Sequence, residues 1–201
     1  MKPTTLTGLL LALGLSCSVT HGALAQWSIS VAVGADRFWG GSVENNPERR
    51  SFRPYRPTIF AAALERRSGA VGLALRMRYT EASLGLEGDD AVVAVKDVFT
   101  AFSLSPEISY QVAMWGHANR LLLHAGPLVE FWSVVDQESR TRVGAQGAVS
   151  LSIPVGDGFA LTLAAGGALT PSLFTRDELD STYDLRPLWR RGFAAGLQYH
   201  L

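Results

Sequence analysis

Strict alternation of side-chain character over residues 188–201 is the feature that most constrains this chain. One face carries apolar and aromatic residues such as Trp189 and Phe193, and the other carries small or polar ones such as Gln198. Because successive side chains of a strand point to opposite faces, the segment predicts a β-strand between lipid and a polar interior. The charged exception on the apolar face, Arg191, lies near the strand end, where its long side chain can reach lipid headgroups.

Seven upstream segments repeat this alternation, and segments of about 9 to 17 residues are long enough to cross a bilayer when tilted. The connections between them are short and long in turn, the asymmetry of a barrel with short periplasmic turns and longer outer loops. The sequence therefore predicts an all-β fold, an eight-stranded antiparallel up-and-down transmembrane β-barrel with both termini in the periplasm. The predicted strands are 27–38, 58–66, 71–86, 96–112, 121–133, 143–154, 159–170 and 188–201.

Aromatic residues form two bands along the predicted strands, as expected for rings at the two membrane boundaries. The turn-end band is Trp27, Tyr110, Trp115, Phe159 and Tyr199, and the loop-end band is Phe38, Tyr79, Phe102, Phe131 and Trp189. A soluble β-sandwich or barrel with an apolar core is the alternative, since alternation alone does not distinguish inside from outside. The second face is rich in Gly, Ala, Ser and Thr, which favours a narrow lumen filled by side chains.

Residues 1–25 have the pattern of a secretory signal, with Lys2, an apolar stretch and an Ala-x-Ala site before cleavage after Ala25. Lipidation of the only cysteine, Cys17, is the alternative. The mature domain, 26–201, then has 17 basic against 18 acidic residues, a net charge of −1 that gives no support for nucleic-acid binding.

With these features the chain resembles the small eight-stranded outer-membrane β-barrels, such as the transmembrane domain of outer-membrane protein A and outer-membrane proteins X and W. The resemblance covers 26–201 as a pattern of strands and loops. It implies location in the cell outer membrane and recognition of the C-terminal strand by the barrel-assembly machinery. Members usually end in an aromatic residue, whereas here Tyr199 precedes a terminal Leu201. The group includes adhesins, defence factors, narrow channels and lipid-modifying enzymes.

Inward ionisable residues are the best candidates for a specific site. Pairing neighbouring strands about their connections places Arg76 near Glu107, Glu107 within reach of Glu130, and Glu130 near Arg142. Buried charges are costly unless paired, so we interpret this set as a polar plug that fixes strand register. A proton- or ion-handling role is the alternative. Three further residues extend the set: Glu65, Arg78 and Arg190.

Histidine gives little support for catalysis or metal binding. His117 lies in a predicted turn, and His124 and His200 point inward in the turn-end half, without a His-x-x-x-His spacing. Outer-membrane enzymes that modify lipid A use His with Ser near the outer leaflet, and no such pair is predicted there. We therefore assign no catalytic, cofactor-binding or metal-ligating residue.

The first and last long loops have opposite charge. In the first, arginines are predicted just above the outer leaflet, where they either contact lipopolysaccharide phosphates or another polyanion, or are simply solvated. These are Arg49, Arg50, Arg53 and Arg56. The last loop carries acids that either dock on those arginines or bind a cation weakly: Asp177, Glu178, Asp180 and Asp184.

Pro106 and Pro127 fall inside predicted strands, where each removes a ladder hydrogen bond, so local bulges are expected there. Taken together, the sequence predicts a monomeric, non-enzymatic outer-membrane barrel with a filled lumen. Its outer loops would serve envelope integrity, adhesion or surface interaction, and its partners would be outer-membrane lipid and lipopolysaccharide. A narrow channel for small apolar solutes and a lipid A-modifying enzyme are the alternatives.

Overall fold

The structure, a computed structural model, describes residues 26–44, 51–87, 92–116, 118–134, 139–178 and 183–201. It confirms the predicted barrel, because each strand pairs antiparallel with its neighbour in the chain and β1 pairs with β8 to close the sheet. The strands are β1 (Gln26–Glu44), β2 (Ser51–Ser68), β3 (Val71–Glu87), β4 (Val92–Trp115), β5 (Asn119–Val134), β6 (Arg140–Gly156), β7 (Phe159–Thr170) and β8 (Tyr183–His200). The predicted signal, 1–25, lies outside the described residues.

Most strands are longer than the alternation predicts, chiefly at the end of the barrel that carries the long connections, here called the loop end. Bulges or irregular registers interrupt the ladders there, for example between Ala35 and Ser42 and between Tyr55 and Thr58. The strict two-residue pattern fails in this region because bulges shift the side chains between faces. At the opposite end, the turn end, Gly69 and Gly158 have φ of 60° and 77°, a conformation that tight turns require and glycine allows.

The apolar face of the barrel points outward, as predicted. On β8, Trp189, Phe193 and Leu197 are 57%, 75% and 51% exposed, whereas Leu188 and Gln198 are buried. A wall of exposed apolar side chains is stable in lipid and not in water, so the barrel is a transmembrane one. Among the described residues no helix has the length and apolar character to cross a membrane.

Nine of the ten aromatic residues assigned to the two bands lie on this outer wall; the tenth, Phe38, was wrongly placed. Phe38 is 1% exposed, because alternate residues of a strand share a face and Phe38 lies on the same inward face of β1 as Gly34 and Asp36. Its ring packs edge-on against Trp132, with centroids 6.0 Å apart, inside the loop end of the barrel. The prediction therefore missed an aromatic core within the lumen.

The prolines are accommodated without the expected bulges. The register between β4 and β5 is the same on both sides of the prolines, where Leu104 pairs with Val129 and Ile108 with Ala125. Pro106 and Pro127 are therefore opposite each other. Only the β4–β5 ladder is interrupted, and both prolines stay in register with their other neighbours, β3 and β6. The Ser105 hydroxyl donates to the Pro127 carbonyl at 2.6 Å and satisfies one of the orphaned acceptors.

Candidate functional site

A carboxylate near mid-barrel organises the first polar cluster of the lumen. Arg76 donates through Nε and Nη2 to the two oxygens of Glu107, at 2.8 and 3.1 Å, a bidentate ion pair. The Gln146 amide donates to Glu107 Oε1 at 2.5 Å. Glu107 is buried, so these donors supply the compensation that a charge in the barrel interior requires. The structure thus brings together the first predicted pair, Arg76 and Glu107.

Glu130, by contrast, has a different partner from the predicted one. Although Glu130 and Arg142 are opposite each other in the β5–β6 register, Glu130 Oε1 accepts from Arg190 Nη1 at 2.5 Å. Its other oxygen accepts from Trp132 Nε1 at 3.0 Å. Arg142 turns away to the carbonyls of residues 172 and 173, at 2.7 and 3.2 Å. The expected pair with Arg142 is therefore corrected: the long Arg190 side chain reaches Glu130 across the lumen from β8.

Asp36 on β1 joins the arginines of opposite walls and was not singled out from the sequence. Its Oδ2 accepts from Arg78 Nη1 at 2.9 Å and lies 3.7 Å from Arg190 Nε. Gly192 makes room for this carboxylate, because a Cβ there would clash with Asp36 Oδ1. Asp36 lies two residues after Gly34, which the alternation of β1 places on the inward face, and this spacing could have identified Asp36 as an inward residue. Glu107 and Glu130 thus belong to separate clusters, each with its own cations.

A serine, a histidine and a carboxylate follow one another beside the first cluster. His124 Nε2 shares a hydrogen bond with Ser150 Oγ at 2.7 Å, and His124 Nδ1 lies 3.6 Å from Glu107 Oε2. All three side chains are buried within the barrel, as the inward position of His124 predicted. In other settings this order of groups activates a serine nucleophile. Here Ser150 lies within the paired β5–β6 and β6–β7 ladders, which occupy the backbone amides that an oxyanion hole would need.

A third cluster closes the turn end. Arg67 Nη2 donates to Glu65 Oε1 at 2.5 Å and to Ser109 Oγ at 2.9 Å, and Ser109 donates to the same carboxylate at 2.6 Å. Alongside it, Gln198 Nε2 donates to Ser28 Oγ at 2.8 Å. These side chains span the interior from several strands, so the lumen ends in a hydrogen-bonded layer.

The loop end is closed by apolar packing and by the last long connection. Leu173, which is 1% exposed, belongs to a buried apolar core inside the loop end. Arg140 Nη1 and Arg142 Nη2 donate to its carbonyl at 2.6 and 3.2 Å. The core consists of Phe38, Ala82, Phe99, Ala101, Trp132, Leu173 and Leu188. We call this set the outer plug.

Between the outer plug and the turn-end layer remains a cavity of about 100 Å³. Small side chains such as Ala32 and Gly166 line it together with the ion-paired residues Asp36, Glu107 and Arg190. A cavity of this size, lined in part by charged and polar groups, has room for a few water molecules. Two buried atoms that lack a hydrogen-bond partner, Arg78 Nε and Arg190 Nη2, belong to residues of this lining and are suited to donate to such waters.

Of the four loop arginines predicted at the surface, Arg53 was wrongly placed. Arg53 is buried and donates to the Phe38 carbonyl at 2.8 Å, because the extended β2 carries it inward at the loop end. Arg56 is exposed, whereas Arg49 and Arg50 lie outside the described residues. In the last connection Asp177 is exposed, Asp184 is half-buried, and Asp180 and the Glu178 side chain lie outside the described part.

Within the described ranges, no group of three or more His, Cys, Asp or Glu side chains is arranged to hold a metal ion. His200 is half-buried at the turn end, and His117 lies outside the described residues.

No protein-family model matches this sequence, and no curated protein matches it. Solved structures of low sequence identity share the fold. Neisserial surface protein A has a TM-score of 0.56 at 11% identity, over 86% of this chain and 96% of that one. The outer membrane protein OprG from Pseudomonas aeruginosa has a TM-score of 0.55 at 8% identity, over 89% of this chain and 97% of that one. A major outer membrane protein from Thermus thermophilus has a TM-score of 0.52 at 13% identity, over 87% of this chain and 99% of that one. The chain is thus similar in fold to small outer-membrane β-barrels.

Proposed function

We propose that this chain is an integral outer-membrane protein without enzymatic activity that serves envelope integrity, adhesion or another surface interaction through its outer loops. The closed lumen carries the proposal. Among the described residues, the outer plug occupies the loop end, the Glu65 cluster lies across the turn end, and a cavity of about 100 Å³ lies between them. A barrel filled in this way acts through its outer wall and its two ends.

The outer membrane is the location that suits this barrel, because outer-membrane barrels present an apolar wall to lipid and carry both termini at the periplasmic end. In this topology the turn end faces the periplasm and the loop end faces outward. The proposal includes export by residues 1–25, contact with lipid and lipopolysaccharide, assembly through β8 and a monomeric state. Refolded protein should stay insoluble without detergent and should migrate on gels differently before and after heating. Solubility without detergent would contradict the membrane location.

Bilayer recordings test the filled lumen. Wild-type protein reconstituted in planar bilayers should give no reproducible single-channel conductance. Ser30, which lines the cavity, provides a site for a blocking reagent, because the only cysteine of the chain, Cys17, lies in the predicted signal. Channels that wild type and Ser30→Cys share, and that thiol modification closes only in Ser30→Cys, would run through the lumen and overturn the proposal. They would support the narrow channel for small apolar solutes instead.

The contact between Ser150 and His124 is the specific observation in favour of a lipid-modifying enzyme. Against it stand the position of the pair inside the barrel and the paired backbone around Ser150. We expect an identical lipid A mass spectrum in cells with wild-type protein, with Ser150→Ala and without the gene. A lipid A species that depends on Ser150 would establish an enzyme.

A further inference from the structure

Two arginines face each other on the lipid-exposed wall near the loop end. Arg37 on β1 and Arg191 on β8 are directly opposite in the ladder that closes the barrel. Both are exposed, and both stack on the same indole: their Cζ atoms lie 5.3 and 4.3 Å from the ring centroid of Trp39. Each guanidinium is thereby held in position by cation–π contact while its N–H groups remain available for a ligand.

A third arginine extends this row onto β2. Thr58 pairs with Ala35, and the exposed Arg56 lies two residues further toward the loop end, where the pairing of β2 with its neighbours is irregular. Arg56 has a φ of 48° at the irregularity between Tyr55 and Thr58, and its Cζ lies 5.2 Å from the Tyr55 ring centroid. We call Arg37, Arg56 and Arg191 the arginine row.

The arginine row has no carboxylate partner among the described side chains. Asp36, next to Arg37, points inward and pairs with Arg78. The outward acid near this level is Glu81 on β3, and it accepts a hydrogen bond from the Tyr79 hydroxyl at 2.9 Å. Like charges directly opposite each other across two strands are destabilising. A counter-charge from outside the chain would remove that cost.

The height of the row on the wall restricts what can supply this charge. Arg191 lies between two exposed aromatic side chains of β8, Trp189 toward the loop end and Phe193 toward the membrane centre. Aromatic bands mark the headgroup level of a bilayer. An anion bound here must therefore be part of a lipid whose acyl chains lie along the apolar wall.

We propose that the arginine row binds the phosphates of lipopolysaccharide in the outer leaflet, an inference that rests on the proposed outer-membrane location. Neighbouring strands are about 4.8 Å apart, so three arginines on β2, β1 and β8 span roughly 10 Å. That span suits a glycolipid with more than one phosphate on a rigid sugar backbone better than a phospholipid with one. Guanidinium groups match phosphate oxygens with paired hydrogen bonds.

Titration of the detergent-solubilised, refolded protein with purified lipopolysaccharide tests the site. The variant Arg37→Gln/Arg191→Gln should bind about tenfold more weakly or worse, because it loses two charge-assisted contacts. Arg37→Lys/Arg191→Lys should keep part of the affinity. The matched control is Arg66→Gln, since Arg66 stacks on Trp27 at 5.7 Å on the same wall at the turn end. It should bind as wild type does.

Two further arms separate the ligand sources and the two proposals. Enzymatically dephosphorylated lipopolysaccharide should lose affinity for wild type, and phosphatidylglycerol micelles should compete poorly; equal competition would overturn the assignment to lipopolysaccharide. Heat-modifiable migration verifies that each variant is folded. If folded variants fractionate with the outer membrane and still bind like wild type, this inference alone fails. If wild type does not reach that membrane, the proposed function fails.

Discussion

At the scale of single residues, the interior is governed by the cost of burying charge. Six ionisable side chains lie in the lumen in two clusters, as three carboxylates, Asp36, Glu107 and Glu130, and three guanidiniums, Arg76, Arg78 and Arg190. Removal of one partner from a buried pair leaves an uncompensated charge, whereas removal of both leaves a surface that is merely less polar. This asymmetry makes the pairs testable individually.

Glu130→Gln should destabilise the barrel by about 1–3 kcal/mol, because the buried Arg190 loses its nearest carboxylate and keeps only Asp36, 3.7 Å away, as a counter-charge. The double variant Glu130→Gln/Arg190→Met should recover most of that loss. Urea unfolding in micelles, followed by tryptophan fluorescence, measures both free energies. Arg66→Gln on the exposed wall is the control and should change stability by no more than about 1 kcal/mol. A Glu130→Gln variant as stable as wild type would show that the pair is not desolvated.

One of these ion pairs could be predicted from the sequence, and another could not. Inward parity placed Arg76 beside Glu107, since these residues lie on the adjacent strands β3 and β4 and the strands were paired symmetrically about the connection between them. The partner of Glu130 was not predictable in this way. Arg190 reaches Glu130 across the lumen from β8, which does not adjoin β5. Such contacts depend on the barrel's diameter and on the reach of long side chains, and neither is encoded in periodicity.

At the scale of elements, one feature contradicts the sequence prediction and another was not predicted at all. The prolines of β4 and β5 oppose each other, so their missing N–H groups fall in one ladder and spare the other two. The last long connection, described over residues 171–178, folds into the barrel mouth rather than standing free. Pattern analysis identifies strands through their alternation, and a connection without alternation gives no signal that Leu173 is a core residue.

Leu173→Asp should release this connection from the outer plug, because it places a carboxylate among the apolar rings around Trp132. Burial of a leucine side chain contributes about 1.5–3 kcal/mol, so its loss should speed local opening roughly ten- to a hundredfold. Limited trypsin digestion of protein in liposomes measures the opening as cleavage after Arg176, which lies three residues further along the chain.

Leu173→Met is the matched control for this digestion, since it preserves apolar volume at the same position and should be cleaved at the wild-type rate. Equal cleavage of Leu173→Asp and Leu173→Met would mean that Leu173 does not anchor the connection.

At the scale of the whole molecule, the barrel is inverted relative to a soluble protein: its charges are concentrated inside and its apolar side chains outside. The sequence predicted this arrangement correctly, because the second face of the strands was too rich in small residues to be a solvated surface. The outer wall is therefore the surface that faces lipid, and the arginine row at its loop end interrupts its apolar character.

An arginine scan across the outer wall tests this inversion directly. Leu163 on β7 lies near the middle of the wall, pairing with Ala195 on β8, whereas Val155 on β6 lies at the turn end; both side chains are exposed. In a bilayer, Leu163→Arg should lower the free energy of unfolding by about 2–4 kcal/mol and Val155→Arg by about 0–1 kcal/mol, because the cost of a cation depends on depth. Reversible unfolding in liposomes gives both values. Equal, small effects at the two positions would describe a water-exposed wall and would remove the basis for both the outer-membrane location and the lipopolysaccharide site.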